Sequence, residues 1–255
     1  MEKLMKNKVG IVTGAASGIG LATALAFARE GALVMVSDVN EAGAMQTAQM
    51  IEQAGGTADF CRCDVSVEAD MAALVEKTVQ RFGRLDFAHN NAGVPAVPDS
   101  LVDSSSLDWI KTINTNLTGV YYALKHQISE MLKTGEGAIV ITSSATSLSG
   151  YKNMSAYSSA KAAVNQLTKC AALEYADKGI RINAVAPGPV NTPLALAFSR
   201  DNPEEAKKYT SIIPTGKFSS VDDVSNAVVW LCSDLSVQIT GTVLAVDGGI
   251  SAGNI

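Results

Sequence analysis

The feature that most constrains the fold is an alternation of short, apolar, β-branched runs with longer stretches of helical periodicity, which continues along the whole chain. Such alternation is typical of repeated βαβ units, whose strands form a parallel sheet. Strands this apolar must be covered by helices on both faces, so we predict a doubly wound α/β fold with seven parallel strands. The predicted strands are Val9 to Thr13, Leu33 to Ser37, Ala58 to Cys63, Leu85 to His89, Ala138 to Thr142, Arg181 to Ala186, and Val243 to Val246.

Helices are predicted between the strands, and several carry end signals. Ser155 and Ser220 are predicted N-caps, and Gly31, Gly55 and Gly179 are predicted helix ends. No linker or repeat interrupts the pattern, so residues 1–255 are expected to form one domain. The predicted helices are Gly18 to Glu30, Glu41 to Ala54, Glu68 to Phe82, Leu107 to Leu132, Ala156 to Lys178, and Val221 to Cys232.

Composition excludes several classes of function. Of the 255 residues, 47% are hydrophobic and 18% charged, which suits one large core. The net charge of −5 provides no cationic field for nucleic acid or anionic lipid, and no segment is long and apolar enough to span a bilayer. The four scattered cysteines and two histidines lack metal-ligand spacing and fit a reducing compartment. We therefore expect a cytoplasmic protein without a metal.

The first predicted strand runs into a glycine-rich turn that leads directly into a helix. Glycines allow positive φ and close approach of a pyrophosphate, whose charge is attracted by the N–H groups of a helix N-terminus. The spacing departs from the G-x-G-x-x-G fingerprint, so this turn alone is weak evidence. The candidate cofactor-binding residues of the turn are Gly14, Ser17, Gly18, Ile19 and Gly20.

An acidic residue near the end of the second predicted strand supports a dinucleotide site. Asp38 follows Gly14 at a distance close to the offset of about 20 residues at which a carboxylate meets the adenosine ribose hydroxyls. Its charge would repel the 2′-phosphate of NADP, and neither Ser17 nor Val39 supplies a positive charge, so NAD is favoured. The alternative is that Asp38 is only a helix N-cap or turn residue.

Two further loops follow the third and fourth predicted strands. Asn, Asp and Gly are ordinary turn residues, so each loop taken alone is more simply a turn. However, the carboxyl ends of parallel strands share one edge of the sheet, where ligands bind. This position makes further residues candidates for cofactor binding, namely Asp64, Val65, Asn91, Ala92 and Gly93.

A tyrosine and a lysine four residues apart form the candidate catalytic pair. Tyr157 and Lys161 lie about 40° apart around a helix axis, on one face, although such pairs also occur by chance on helix surfaces. A phenol has a pKa of about 10, and an adjacent ammonium is expected to lower it. Ser143 and Ser144 follow the fifth predicted strand, where a hydroxyl could bind a substrate oxygen or simply cap the strand end.

Together these motifs resemble the classical short-chain dehydrogenase/reductase family over essentially the whole chain. The resemblance implies a Rossmann fold. The matching motifs are Thr13-Gly-x-x-x-Gly-Ile-Gly20, Asn90-Asn-Ala-Gly93, Asn116, Ser144 thirteen residues before Tyr157, Tyr157-x-x-x-Lys161, and Pro187-Gly188.

The resemblance implies a catalytic tetrad of Asn116, Ser144, Tyr157 and Lys161. Tyr157 would be the general acid/base, Ser144 would polarise the substrate oxygen, and Lys161 would also bind the nicotinamide ribose. Asn116, in a locally distorted helix, would hold a water linking Lys161 to solvent. Asn114 competes with Asn116, and only the spacing to Tyr157 selects Ser144 over Ser143.

The resemblance also implies a nicotinamide loop, a lid and a homotetramer. Pro187 and Gly188, the backbone of Val190, and the Thr192 hydroxyl would bind at the nicotinamide end, although a proline-rigidified turn is an alternative for this loop. Residues 191–214 resemble the substrate lid of the family. Its apolar residues, which include Leu194, Leu196 and Phe198, either contact substrate or pack in the core.

We therefore expect an NAD(H)-dependent enzyme that interconverts a secondary alcohol and a ketone by hydride transfer, with a cyclic, aliphatic or steroid-like substrate. The alternative is a catalytically idle NAD-binding regulator or scaffold, which the presence of all four tetrad residues disfavours. An epimerase or dehydratase would need a larger substrate domain.

Overall fold

A computed structural model of the chain describes residues 3–253. The strands are β1 Val9–Thr13, β2 Leu33–Asp38, β3 Thr57–Arg62, β4 Phe87–Asn90, β5 Gly137–Thr142, β6 Ile180–Pro187, and β7 Val243–Val246. Within the described residues these seven strands form one parallel sheet in the order β3-β2-β1-β4-β5-β6-β7. This order reverses direction between β1 and β4, as in the Rossmann fold. The predicted seven-stranded, doubly wound sheet is confirmed.

Helices cover both faces of the sheet. The helices are α1 Gly18–Arg29, α2 Glu41–Gln53, α3 Glu68–Phe82, α4 Ser106–Ile113, α5 Gly119–Met131, α6 Ser155–Tyr175, α7 Pro193–Asp201, α8 Pro203–Ser211, and α9 Val221–Cys232. Buried residues of α1, α2 and α9 share one hydrophobic core, and those of α3, α5 and α6 share a second. Strand β1 serves both cores because Val12 belongs to the first and Ile11 to the second.

A glycine in the central strand makes room for the largest side chain of the first core. A Cβ at Gly10 would overlap the Phe87 ring of the neighbouring strand. The Phe87 ring in turn packs against Phe27 of α1, with centroids 4.2 Å apart. Gly10 therefore lets β1 and β4 pair while an aromatic side chain fills the space between sheet and helix.

The predicted helix from Leu107 to Leu132 is interrupted. A π-helical turn, Asn114–Thr118, separates α4 from α5, and the Gly119 N–H bonds to the Asn114 carbonyl, five residues back. This turn is the local distortion that the family resemblance implied. Helical periodicity alone did not reveal it, because residues on both sides of the turn keep a helical pattern.

Several predicted boundaries were wrong. Strand β4 begins at Phe87 rather than Leu85, and β3 spans Thr57–Arg62 rather than Ala58 to Cys63. Ser155 is the first residue of α6 rather than its N-cap, which is Met154 without a side-chain cap. Ser220 does cap α9, in a reciprocal capping box with Asp223. The predicted helix-ending glycines all have positive φ, at Gly31, Gly55 and Gly179.

The described part of the chain holds neither a membrane-spanning helix nor a metal-binding cluster. None of its helices has the length and apolar character needed to cross a bilayer. Within residues 3–253 no group of three or more His, Cys, Asp or Glu side chains is placed to hold a metal ion. The four cysteines, all within this range, are free thiols.

Candidate active site

The glycine-rich turn between β1 and α1 is in close contact with the loop that follows β4. Gly14 and Gly18 have positive φ, and a Cβ at Gly14 would lie 2.8 Å from the Ala92 Cα. A Cβ at Gly20 would lie 2.7 Å from the Asn91 amide nitrogen. Ser17 is the N-cap of α1 but makes no side-chain cap. The N-terminus of α1 is therefore available to an anion.

Side chains of β1 and of the β4 loop hold this arrangement in place. Thr13 Oγ1 accepts the N–H groups of Asn91 and Ala92 at 3.0 and 3.1 Å. The Asn91 amide donates to the carbonyls of Thr13 and Gly14 at 3.1 and 3.3 Å. Asn90, in contrast, forms a buried, reciprocal pair with Gln127 of α5 and therefore fixes that helix.

Asp38 lies at the end of β2, beside the same turn. Its carboxylate accepts the Ala16 N–H at 3.0 Å and the Asn40 N–H at 2.9 Å. The N-cap of α2 is Asn40, whose side chain accepts the Gly43 N–H, so the alternative of Asp38 as an N-cap is wrong. The two hydrogen bonds do give Asp38 the role of a turn residue, which was the other alternative. A carboxylate nevertheless has further lone pairs that can accept the ribose hydroxyls.

These segments line a cavity of about 760 Å³ at the carboxyl edge of the sheet. The predicted cofactor residues on its wall are Gly14, Ser17, Gly18, Ile19, Asp38, Asp64, Val65, Asn91, Ala92, Gly93 and Thr192. Lys111 and Thr115 also line it and were not predicted. Their spacing of four residues, on one helix face next to the Asn116 motif, was the signal that could have found them.

The loop after β6 approaches the cavity through Thr192. The Thr192 methyl group lies beside Gly18, where an added Cβ would be 3.3 Å away. Pro187, Gly188 and Val190 do not line the cavity. A Cβ at Gly188 would lie 2.9 Å from the Cα of Asp247, and Val190 is buried in the first core. The structure thus brings Thr192 to the cavity wall and places the other three behind it.

Tyr157 and Lys161 share one face of α6, as predicted. The Lys161 ammonium lies 5.7 Å from the centroid of the Tyr157 ring and donates to the Thr142 carbonyl at 2.7 Å. Lys161 is only 3% exposed, and burial lowers its pKa to about 8. A Cβ at Gly93 would lie 3.7 Å from Lys161 Nζ, so Lys161 adjoins the cavity, whereas Tyr157 lines a second, small cavity.

The expectation that Lys161 lowers the pKa of Tyr157 was wrong for this structure. Burial raises the pKa of Tyr157, because a phenolate loses hydration there, and a hydrogen bond with Ser144 lowers it in part. The ammonium of Lys161 is instead engaged by the Thr142 carbonyl. Ser144, rather than Lys161, is the group that favours the phenolate here.

The structure separates the two candidate serines. Ser143 Oγ is buried and donates to Asn165 Oδ1 at 2.6 Å, behind the site. Ser144 is the serine that contacts Tyr157. The spacing of thirteen residues therefore selected the serine that lies beside the tyrosine.

Asn116 is fully buried in the π-helical turn, whereas its competitor Asn114 is exposed. Asn116 Oδ1 accepts the Val94 N–H at 2.8 Å, and its Nδ2 donates to the Val94 carbonyl at 3.0 Å. A Cβ at Gly93 would lie 2.8 Å from Asn116 Oδ1. The side chain thus clamps the loop after β4, and its implied role in a water relay stays a prediction.

Neither histidine is placed as a base. His89 is completely buried at the end of β4, and burial lowers its pKa to about 3. Its Nε2 lies 2.9 Å from Thr142 Oγ1, a partner that the sequence did not indicate. Thr142 Oγ1 in turn donates to Asn91 Oδ1 at 3.1 Å. His126 Nε2 on α5 lies 3.2 Å from the Glu68 carboxylate at the start of α3.

Comparison with known proteins agrees with the fold. A sequence model of a protein family, described as enoyl-(acyl carrier protein) reductase, matches residues 14–251. Cyclohexanol dehydrogenase of Acinetobacter sp. (strain SE19) is 41% identical over 99% of this chain and 100% of that protein. Cis-4-hydroxycyclohexanecarboxylate dehydrogenase of Sinomonas cyclohexanicum is 40% identical, again over 99% of this chain and 100% of that protein.

A solved structure gives the same result. The crystal structure of a levodione reductase superimposes with a TM-score of 0.93 at 32% identity, covering 98% of this chain and 99% of that chain. The chain therefore belongs to the classical short-chain dehydrogenase/reductase family, and it is an oxidoreductase.

Proposed function

We propose that this oxidoreductase is an NAD-dependent dehydrogenase that interconverts a secondary cyclic alcohol and its ketone, with Tyr157 as general acid/base. The observation that carries the proposal is the meeting of Tyr157, Ser144 and Lys161 next to the cavity formed by the glycine-rich turn. The named relatives supply the substrate class, since two of them are dehydrogenases of cyclohexane derivatives.

The residues present fit a dinucleotide. The close approach of Gly14 to Ala92 leaves backbone, without side chains, facing the cavity, and the uncapped start of α1 suits a pyrophosphate. We assign the pyrophosphate to Ser17, Gly18, Ile19 and Gly20. We assign the adenosine end to four further groups, Gly14, Asp38, Asp64 and Val65.

The nicotinamide end is assigned to the loops nearest the catalytic pair. Asn91, Ala92 and Gly93 would flank it on one side. Tyr157 and Lys161 would bind the ribose, and the loop of Pro187, Gly188, Val190 and Thr192 would bind the carboxamide. When bound there, the nicotinamide accepts or supplies the hydride.

Charge around Asp38 favours NAD over NADP. Arg62 is opposite Asp38 in the register of β2 and β3. Its guanidinium is already paired with Asp70 at 3.2 Å. Val39, beside Asp38, is exposed and apolar. Lys111 lines the same cavity as Asp38, but neither Val39 nor Arg62, the two residues that adjoin Asp38, offers an unpaired positive charge to the 2′-phosphate of NADP.

The chain's own residues account for the movement of the proton. In oxidation, the Tyr157 phenolate would take the proton of the substrate hydroxyl, and in reduction the phenol would return it. Ser144 would donate a hydrogen bond to the same oxygen and stabilise its developing charge. Lys161, held at the Thr142 carbonyl, keeps a buried positive charge beside the ribose position. The two hydrogen bonds from Asn116 to Val94 fix the loop after β4, which adjoins Lys161.

A lid and the pocket beside Tyr157 would enclose the substrate. Residues 191–214 contain α7 and α8, as expected of a lid, and Leu196 is exposed on α7. The side chains of Leu194 and Phe198 lie outside the described residues. On the other side of Tyr157, a small cavity is lined by apolar and polar residues that include Val97, Trp109 and Ala156. These walls mix apolar groups with the carboxylates of Asp99 and Asp108, so the proposal of a cyclic alcohol rests on the named relatives.

We also propose that the chain is one domain and a cytoplasmic homotetramer. Apolar side chains stay exposed on the helices next to the site, among them Trp109, Ile110, Tyr121 and Leu173. Side chains of this kind, exposed on neighbouring helices, support association between copies. Size-exclusion chromatography with light scattering would measure the number of subunits.

The proposed function is tested by NADH formation with purified protein and either NAD or NADP. The substrates are a panel of cyclohexanols, hydroxysteroids, open-chain secondary alcohols and polyols, tested with the wild type, Tyr157→Phe and Tyr175→Phe. Tyr175 ends the same helix far from the site, so its variant is a matched control. We expect NAD-dependent turnover that is lost only in Tyr157→Phe. Turnover that survives in Tyr157→Phe would contradict the mechanism, and NADH binding without turnover would favour a regulator.

A further inference from the structure

Thr146 contacts the hydroxyl of Ser144 through two groups, its backbone N–H and its own hydroxyl. It lies in the short helical turn Ala145–Ser147 that follows β5. Its N–H donates to Ser144 Oγ at 3.2 Å, and its hydroxyl lies 3.0 Å from the same oxygen. Ser144 is only 8% exposed, so water has little access to replace either contact.

The direction of each hydrogen bond follows from the number of protons and lone pairs. A serine hydroxyl donates one proton and accepts at two lone pairs. The Thr146 N–H can only donate, so it occupies one lone pair of Ser144. Tyr157 as a phenolate can only accept, so its bond with Ser144 uses the serine proton. The Thr146 hydroxyl must then donate to the remaining lone pair.

We propose that Thr146 is a positioning residue whose two hydrogen bonds direct the single Ser144 proton toward the Tyr157 oxygen in the free enzyme and toward the substrate oxygen once substrate is bound. Hydrogen bonds in a chain polarise one another, so a donor to Ser144 makes Ser144 a stronger donor to a phenolate. The neighbouring Ser147 hydroxyl is used elsewhere, since it donates to the Ser144 carbonyl. The inference rests on the proposed role of Tyr157 as general acid/base.

The charged groups around Tyr157 are independent of Thr146. Lys161 lies on the same helix, and Asp99 and Asp108 line the small cavity that Tyr157 shares with α4. The π-helical turn and the turn of residues 145–147 carry no charged side chain. Arg181 of β6 donates to the carbonyls of Leu231 and Ser233 at the C-terminal end of α9, at the opposite edge of the sheet. A change at Thr146 therefore tests the hydrogen-bonded chain alone.

The first measurement is the ionisation of Tyr157, which needs no substrate. The protein is labelled with ¹³C in the tyrosine rings and titrated by NMR, and the Tyr157 resonance is identified by its loss in Tyr157→Phe. Thr146→Val keeps the shape but removes the hydroxyl, so we expect the pKa of Tyr157 to rise. Thr146→Ser keeps the hydroxyl and should leave the pKa as in the wild type.

The second measurement is the kinetics of alcohol oxidation on a substrate that the wild type uses. Thr146→Val should lower kcat roughly tenfold, the scale of one lost hydrogen bond, and change KM less than about twofold. Its pH profile for kcat should shift to higher pH, because oxidation needs the phenolate. Thr146→Ser should restore wild-type values.

Ser147→Ala is the matched control, because the Ser147 hydroxyl contacts the carbonyl of Ser144 rather than its Oγ. It should leave the pKa of Tyr157 unchanged.

Three outcomes separate the inference from the proposed function. Equal losses of kcat in Thr146→Val and Thr146→Ser, or an effect of Thr146→Val on KM alone, would overturn the inference. If turnover depends on Tyr157 while Thr146→Val behaves as the wild type, only this inference fails. If no substrate is turned over but Tyr157 titrates higher in Thr146→Val alone, only the proposed function fails.

Discussion

Replacing Asn116 by alanine removes both hydrogen bonds that tie the loop after β4 to the π-helical turn. These bonds join the Asn116 amide to the N–H and carbonyl of Val94 at 2.8 and 3.0 Å, in a side chain with no exposed surface. A hydrogen bond contributes about 1 kcal/mol net, and a buried group left without a partner costs about 1–3 kcal/mol. We expect Asn116→Ala to lower the free energy of unfolding by about 2–4 kcal/mol. For a chain of this size the Tm should fall by roughly 6–12 °C.

The assay is urea unfolding followed by tryptophan fluorescence at one fixed protein concentration, because subunit association would make apparent stability depend on concentration. Asn114→Ala is the matched control, since this exposed residue belongs to the same turn, and its effect should stay below about 0.5 kcal/mol. Asn116→Asp keeps the acceptor for the Val94 N–H but places a buried carboxylate oxygen against the Val94 carbonyl, so its loss should be at least as large as that of Asn116→Ala. A loss below about 1 kcal/mol for Asn116→Ala, or equal losses for both alanine variants, would refute the clamp.

Three further predictions use other parts of the structure. Asp38→Ser should raise the ratio of kcat/KM for NADP to that for NAD at least about tenfold, because a charge repulsion is removed, and steady-state kinetics with both cofactors measures it. His89 is neutral in the folded protein, where burial lowers its pKa from 6.5 to about 3, so its contribution to stability is present above pH 6.5 and is lost as pH falls toward 3. His89→Gln should therefore flatten the pH dependence of the urea midpoint in that window, and an unchanged slope would contradict the assignment. Gly10→Ala should destabilise the protein by about 1–3 kcal/mol, since the added Cβ overlaps Phe87, whereas Gly150→Ala, in open space, should not, as thermal unfolding of the pair would show.

The fold could be predicted because its rules are local. Apolar runs marked the strands to within about two residues, and glycines with positive φ ended the helices where expected. The edge of the sheet that carries the site followed as well, because the carboxyl ends of parallel strands coincide. Asp38 and Asn91 line the same cavity, and their positions at the carboxyl ends of two strands were enough to predict this.

Features that depend on side-chain direction could not be predicted. The sequence selected Asn116 over Asn114 only by a motif. The structure gives the physical reason, because the π-helical turn brings the Asn116 amide to Val94 and leaves Asn114 exposed. The pKa of Tyr157 depends on burial by residues distant in sequence, and so it moved opposite to what its helix neighbour indicated. The contacts of Thr146 likewise need the turn after β5, which no periodicity marks.

The π-helical turn also sets the phase of the helix that follows it. Each residue of an α-helix advances about 100° around the axis. If all five residues of Asn114–Thr118 adopted ordinary α-helical bonding instead, α5 would be rotated by roughly the angle of one residue relative to α4. Val120, Leu124 and Ile128, now buried in the second core, would then turn toward its margin. The π-helical turn thus adjusts the rotation of α5 relative to α4. One continuous helical segment can therefore present the Asn116 amide to the active-site loop and an apolar stripe to the sheet.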